Sequence, residues 1–114
     1  MKISVIIVSY NCKAFLDYCL QSVSKALKQI DSAILVIDNC STDGSVEYLK
    51  SKKYDLRIIE NKENLGFSKA NNKAAKLAKG EYLFFLNPDT IIPEDLIESF
   101  FKNKKPNTGI FSFR

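Results

Sequence analysis

Apolar residues along this chain fall into five short runs, and between the runs they recur at helical spacing. Ile3-Ser4-Val5-Ile6-Ile7-Val8 is β-branched and nearly continuous, which predicts a central parallel strand covered on both faces. Phe15, Leu16, Cys19, Leu20, Val23 and Leu27 follow at steps of one, three and four, predicting a helix from about Lys13 to Lys28. Ala33 to Ile37 reads as a second buried strand. Val46 and Leu49 mark a short helix that Ser41 or Thr42 can cap, with Gly44 relieving crowding at the turn. Leu56 to Ile59 is a third strand, and 61 to 66 a polar loop. Phe67, Ala70, Ala74, Ala75 and Ala78 then predict a helix whose small residues let it sit close to a sheet, with Gly80 as its stop. Tyr82 to Leu86 is the fourth strand, Pro93 opens a helix to about Lys102, and Gly109 to Phe113 forms a fifth strand. The β-α alternation predicts an α/β fold: a mostly parallel sheet with right-handed crossovers and helices on both faces.

Composition narrows this picture only slightly. At 114 residues the chain has the size of one domain, enough to bury roughly two-thirds of the surface its unfolded form exposes. Its 46% hydrophobic and 26% charged residues are ordinary for a globular protein. No stretch approaches the ~18 apolar residues of a membrane span, and Ile3 to Val8 is too short for a signal-peptide core; the expected location is the cytoplasm. The net charge of +4 comes from lysines dispersed among acids, which reads as solvated helix faces with at most a weak attraction to the anionic inner face of a membrane. Nucleic acid is not an expected partner. Cys12, Cys19 and Cys40 lack metal-ligand or disulfide spacing. With no histidine, the chain cannot build a Ser-His-Asp or Cys-His arrangement.

The chemistry concentrates at strand ends. Tyr82-Leu83-Phe84-Phe85-Leu86 stops abruptly at Asn87-Pro88-Asp89, delivering one carboxylate to the carboxyl edge of the sheet, where open α/β sheets bind ligands. Ser9-Tyr10-Asn11, Asp38-Asn39 and Glu60-Asn61 turn polar at the same kind of boundary. Such an edge suits a nucleotide-sized ligand with a divalent cation on its diphosphate.

Several phosphate-binding designs fail on specific residues. Ser9-Tyr10-Asn11-Cys12-Lys13-Ala14 stands where a dinucleotide-binding fold needs G-x-G-x-x-G, and no G-x-x-x-x-G-K-[ST] string occurs. Tyr10-Asn11 cannot supply the acidic pair of a phosphate-receiver domain, nor Tyr10-Asn11-Cys12-Lys13 the glycine-rich loop of a sugar-phosphate nucleotidyltransferase.

As an ordered set, Val8-Ser9-Tyr10-Asn11, Val36-Ile37-Asp38-Asn39-Cys40-Ser41-Thr42-Asp43-Gly44-Ser45, Asn64-Leu65-Gly66-Phe67-Ser68-Lys69-Ala70-Asn71-Asn72 and Leu86-Asn87-Pro88-Asp89 resemble the donor-binding half of family 2 inverting glycosyltransferases with the GT-A, Rossmann-like fold. The Asn-Pro-Asp variant is most similar to the rhamnosyltransferase-like branch that builds bacterial surface polysaccharides. The resemblance implies that residues 1–114 are the nucleotide-sugar-binding part of a glycosyltransferase domain, cut after the fifth strand. The implied reaction moves a sugar from a UDP- or dTDP-sugar to a hydroxyl of a glycan or lipid-linked acceptor, with inversion. The catalytic base is expected from a later part of such a domain, and Glu94, Asp95 and Glu98 are not nominated for it. A non-catalytic nucleotide-binding module is the alternative, and the last strand is expected to favour self-association through Ile110, Phe111 and Phe113.

The resemblance carries site roles with it. Ser9, Tyr10, Asn11, Asp38, Asn64, Gly66 and Lys69 would hold the donor nucleotide: Tyr10 by stacking on a pyrimidine, Asp38 by accepting the N3–H of uracil or thymine, Asn64 and Gly66 by bordering the ribose, and Lys69 by meeting a phosphate. Tyr10, Asp38, Asn64 with Gly66, and Lys69 have plainer alternatives: a strand-end tyrosine, a turn-forming aspartate that caps the next helix, a loop-to-helix transition, a solvated lysine. Asp89, with Asn87 as a neutral ligand, would hold Mg²⁺ or Mn²⁺ together with diphosphate oxygens and water; here the plainer alternative is a turn. Ser41 and Asp43 are read as caps of the second helix.

Overall fold

The computed structural model describes residues 2–52, 54–103 and, as backbone, 110–113. Nine elements alternate: β1 (Ile3–Ser9), α1 (Lys13–Ala26), β2 (Ser32–Asp38), α2 (Ser45–Ser51), β3 (Arg57–Glu60), α3 (Phe67–Leu77), β4 (Tyr82–Leu86), α4 (Leu96–Asn103) and β5 (Ile110–Phe113). The strands form one sheet in the order β3-β2-β1-β4-β5, and every pairing is parallel. Gly109, expected to open the last strand, lies outside the described residues, as do the side chains of Ile110, Phe111 and Phe113 on which the self-association expectation rests.

All seven residues of β1 are buried, because the strand is central and covered on both faces. Strand alternation divides its side chains between two cores. Ile3, Val5 and Ile7 face Leu16, Cys19, Leu20 and Val23 of α1, Leu49 of α2 and Ile97 of α4. Ile6 and Val8 face Ala70 and Ala74 of α3. Burial of each of Leu16, Leu20 and Val23 stabilises by roughly 1.5–3 kcal/mol relative to exposure. The alanines leave α3 with no large side chain between helix and sheet, as the sequence suggests, but Phe67 points outward and is 47% exposed.

The placement of α3 follows from strand order. The steps β1 to β2 and β2 to β3 run in one direction, with α1 and α2 on one face, whereas β3 to β4 returns past β1. A right-handed crossover in the reverse direction puts its helix on the opposite face, where α3 sits. The helix α4 departs from the expected right-handed crossovers, because β4 to β5 runs the same way as β3 to β4 yet α4 packs beside α1 on the first face. The connections leaving β1 and β4 therefore depart toward opposite edges of the sheet, opening a crevice at their carboxyl ends. None of the described helices is long and apolar enough to cross a membrane.

Gly80 does not end α3, which closes at Leu77 with Ala78 already extended. Its task is close approach: a Cβ at Gly80 would lie 2.5 Å from the Ser4 amide nitrogen and 2.6 Å from the Ile3 carbonyl carbon. The Gly80 N–H donates to Ser4 Oγ at 3.0 Å, fixing the chain beside β1 as it enters β4.

Candidate functional site

Strand register assembles the edge. Ser9 lies opposite Asp38, which lies opposite Glu60, and Leu86 lies opposite Ile7, so Asn87 to Asp89 continue past the level of Val8 and Ser9. Side-chain exposure then sorts these residues. Tyr10 is 48% exposed and Asp38 only 4%, while Asp89 is exposed. Ser9 Oγ is buried without a hydrogen-bond partner among the described residues, an orphan polar atom in the middle of this edge.

The turns after β1 and β2 clasp one another. Asn11 and Cys40 both take positive φ, 52° and 65°, a left-handed conformation uncommon for residues with a side chain. The Asn11 N–H donates to Ser41 Oγ at 3.0 Å, and Asn11 Oδ1 accepts the Thr42 N–H at 2.8 Å. Ser41 in turn donates its hydroxyl to Asp38 Oδ1 at 2.6 Å and its N–H to Asp38 Oδ2 at 2.9 Å. Each Asp38 oxygen keeps a further lone pair for a ligand donor, so the turn-forming and base-reading roles of Asp38 are compatible. Asn11 spends its amide oxygen on the clasp.

Of the expected caps of α2, Asp43 meets the first N–H of the helix and Ser41 does not. The N-cap of α2 is Gly44, with no side-chain cap bond, and Ser41 instead joins Asp38 to Asn11. Asp43 serves two helices: it accepts the Ser45 N–H and the Lys13 N–H, both at 3.0 Å, and also the Ser45 hydroxyl. Burial pushes the Asp43 carboxyl up, but the bonds from the Ser45 hydroxyl and the Lys13 and Ser45 amides outweigh it and bring the pKa below its ordinary value. Asp43→Ala is expected to cost about 1–2 kcal/mol, as for a lost helix cap, read as a lower Tm. Because the folded pKa is depressed, the Asp43 contribution is complete above the unfolded value of about 3.9 and lost as pH falls through the folded value. The gap in Tm between wild type and Asp43→Ala should therefore close in acid and persist at neutral pH.

Asn64 Oδ1 accepts the Gly66 N–H at 2.8 Å, and Gly66 caps α3 at φ 80°, ψ 170°. Only glycine adopts that conformation readily; space is not the constraint, since a Cβ there would meet nothing within 4 Å. Lys69 stands exposed in the first turn of α3. The sequence places Asn39 and Asn61 at strand ends but assigns them no role; they are 2% and 6% exposed and bolt this loop to the end of β2. A polar residue directly after an apolar strand was the available signal.

At Asn87 to Asp89, the Asn87 carbonyl accepts the Thr90 N–H at 3.2 Å and lies 3.8 Å from Cys19 Sγ. Burial pushes the Cys19 thiol up to about 12, and the negative charge of Asp89 adds to the effect, so Cys19 is an inert core residue. No group of three or more His, Cys, Asp or Glu residues that could hold a metal occurs among the described residues. One exposed carboxylate with a neighbouring amide fits a cation that a bound ligand helps to coordinate, and does not fit a self-sufficient metal site.

Comparison with known proteins sharpens the assignment. The family described as Glycosyl transferase family 2 matches residues 4–111. The chain is 36% identical over 112 residues to a poly(ribitol-phosphate) beta-glucosyltransferase of Bacillus spizizenii, covering 94% of this chain and 18% of that protein. It superimposes on S. aureus TarS 1-349 in complex with UDP-GlcNAc with a TM-score of 0.80 at 28% identity, covering 90% of this chain and 30% of that one. A mannosyltransferase from Pyrobaculum calidifontis, in complex with GDP-Man and Mn²⁺, shares the fold at a TM-score of 0.83 and 24% identity, over 92% of this chain and 33% of that one. The chain thus spans a third or less of the length of these proteins. With a family match over nearly all of its residues and a parallel sheet shared with these transferases, the chain belongs to glycosyl transferase family 2 and has the GT-A fold.

Proposed function

We propose that this chain is the donor-binding part of a bacterial glycosyltransferase that takes sugar from a UDP- or dTDP-sugar and passes it, with inversion, to a hydroxyl of a glycan or lipid-linked acceptor during cell-surface polysaccharide synthesis. The observation that carries the reading is the pairing of Ser9 with Asp38 at the carboxyl edge, with exposed Tyr10 directly after Ser9 and exposed Asp89 three residues past the end of the neighbouring β4, in a chain of this family. The UDP-GlcNAc complex of TarS supports the uridine part. The rhamnosyltransferase-like branch rests on Asn87-Pro88-Asp89 alone; the Bacillus spizizenii relative is named a poly(ribitol-phosphate) beta-glucosyltransferase. The setting proposed is the cytoplasm, at the inner face of the membrane, where surface lysines would meet anionic headgroups.

In this reading Tyr10 stacks on the pyrimidine, Asp38 accepts its N3–H, and the buried Ser9 hydroxyl offers a hydrogen bond at the same edge. Asn64, Gly66 and Lys69 border the ribose and phosphates. Asp89, assisted by Asn87, would hold Mg²⁺ or Mn²⁺ against the diphosphate, which offsets the charge of the leaving nucleotide. The acceptor oxygen attacks the anomeric carbon as the bond from that carbon to the phosphate oxygen breaks, the nucleoside diphosphate departs, and a general base takes the acceptor's proton.

UDP or dTDP with Mn²⁺ is expected to raise the Tm, by the equivalent of about 2.7 kcal/mol at 100 times the dissociation constant, and GDP or ADP at the same concentration is expected to raise it less. Equal shifts for all four nucleotides would remove the assignment of Tyr10 and Asp38 to base recognition.

A further inference from the structure

Two buried asparagines join the loop between β3 and α3 to the end of β2. Asn39 Oδ1 accepts the Asn61 amide at 2.9 Å and the Leu65 N–H at 3.3 Å. Asn39 Nδ2 donates to the Gly66 carbonyl at 3.3 Å. Asn61 Oδ1 in turn accepts Lys73 Nζ from α3 at 2.6 Å. Backbone bonds anchor both residues: the Asn39 N–H donates to the Ser9 carbonyl at 2.9 Å, and the Asn61 N–H to the Asp38 carbonyl at 2.8 Å. A continuous polar chain therefore runs from Lys73 on α3 through Asn61 and Asn39 to Leu65 and Gly66. Its fixed end lies between Ser9 and Asp38.

The residue type at position 39 is constrained by this pattern. One side-chain atom must accept two N–H groups while the other donates to a carbonyl, and an amide supplies both in one plane. A buried polar chain is disfavoured relative to apolar packing unless every member is satisfied, and here the carboxamides are satisfied by each other, by the loop backbone at Leu65 and Gly66 and by Lys73 of α3. Apolar residues would bury the same area without defining where the loop backbone stands. What the asparagines add is position: they set the distance from Asp38 and Ser9 to Asn64 and Gly66.

We propose that Asn39 and Asn61 form a latch that positions the 61–66 loop over the nucleotide site, acting through the loop and not by touching the ligand. The proposal rests on the nucleotide reading above, and its test separates the two. In Asn39→Ala and Asn61→Ala, hydrogen exchange at the Leu65 and Gly66 amides should rise about tenfold while β1 amides keep their protection. Calorimetric affinity for UDP with Mn²⁺ should fall about tenfold in each, the scale of one lost hydrogen bond, and the double variant should be no weaker than the weaker single. Asn61→Asp keeps an acceptor for Lys73 but has no donor for Asn39, so it should behave as Asn61→Ala, and it retains the side-chain volume should an alanine variant fail to fold. Lys50→Ala removes only the exposed pair with Glu60 and should change neither readout.

Wild-type exchange rates at Leu65 and Gly66 in these variants would overturn the latch. A loosened loop with UDP affinity within about twofold of wild type would overturn its positioning role, as would additive losses in the double variant. Failure of wild type itself to bind UDP would overturn the nucleotide reading and the positioning role with it, leaving the latch to be judged by exchange alone.

Discussion

Asp89→Ala is expected to abolish the gain in UDP affinity that Mn²⁺ provides, while leaving the fold intact. Asp89 is the carboxylate that the β4 end presents at this edge, and it is exposed, so truncation opens no cavity. A hydrogen bond or ligand contact to a charged group is worth about 1.5–3 kcal/mol, which corresponds to roughly a 10–100-fold loss of Mn²⁺-dependent affinity. Titration with and without the cation decides the matter. In wild type the two isotherms should differ, and in the variant they should coincide at the weaker value. Equal losses in both conditions, or a lowered Tm, would show that Asp89 shapes the turn and does not hold a cation.

The largest effect on stability is expected from Gly80→Ala. The added methyl would meet the Ser4 nitrogen at 2.5 Å, the Ile3 carbonyl carbon at 2.6 Å and the Ser4 hydroxyl at 2.8 Å. The first two are backbone atoms of the central strand and cannot rotate away. Relief requires moving the Gly80 segment off β1, which strains the Gly80 N–H bond to Ser4 Oγ and the Tyr82 N–H bond to the Lys2 carbonyl. Overpacking of this kind typically costs 1–3 kcal/mol and occasionally more; against backbone we expect about 3 kcal/mol or above, a fall of roughly 10–20 °C in Tm. A Tm within about 3 °C of wild type would show that the segment relaxes freely.

Much of this architecture was legible in sequence because the relevant signals are local. Tyr82–Leu86 matches its expected bounds, since an apolar run enclosed by Gly80 and Pro88 leaves little freedom. Helix ends were less legible. The apolar spacing carried α1 on to Lys28, yet the helix stops at Ala26 and Leu27 forms the cap. Pro93 was expected to begin α4, yet the helix starts at Leu96 after a turn in which the Leu96 N–H donates to the Pro93 carbonyl. Terminal turns are decided by competing hydrogen bonds of similar energy, which periodicity does not register.

By itself the sequence determined the order and type of the elements and the gathering of Ser9, Tyr10, Asp38 and Asp89 at strand ends, because alternation, helical spacing and strand-end polarity are properties of neighbouring residues. Only the tertiary structure decided the strand order β3-β2-β1-β4-β5, the two helices served by Asp43, the clasp of Asn11 on Ser41 and Thr42, the crowding at Gly80 and the bond of Asn39 to Asn61. Each depends on a contact between residues 22 or more positions apart in the chain. Such pairs meet only when the crossovers have placed their strands side by side, and whether a side chain then caps a helix, binds its own turn or holds a distant loop depends on which unsatisfied donor or acceptor lies within about 3 Å.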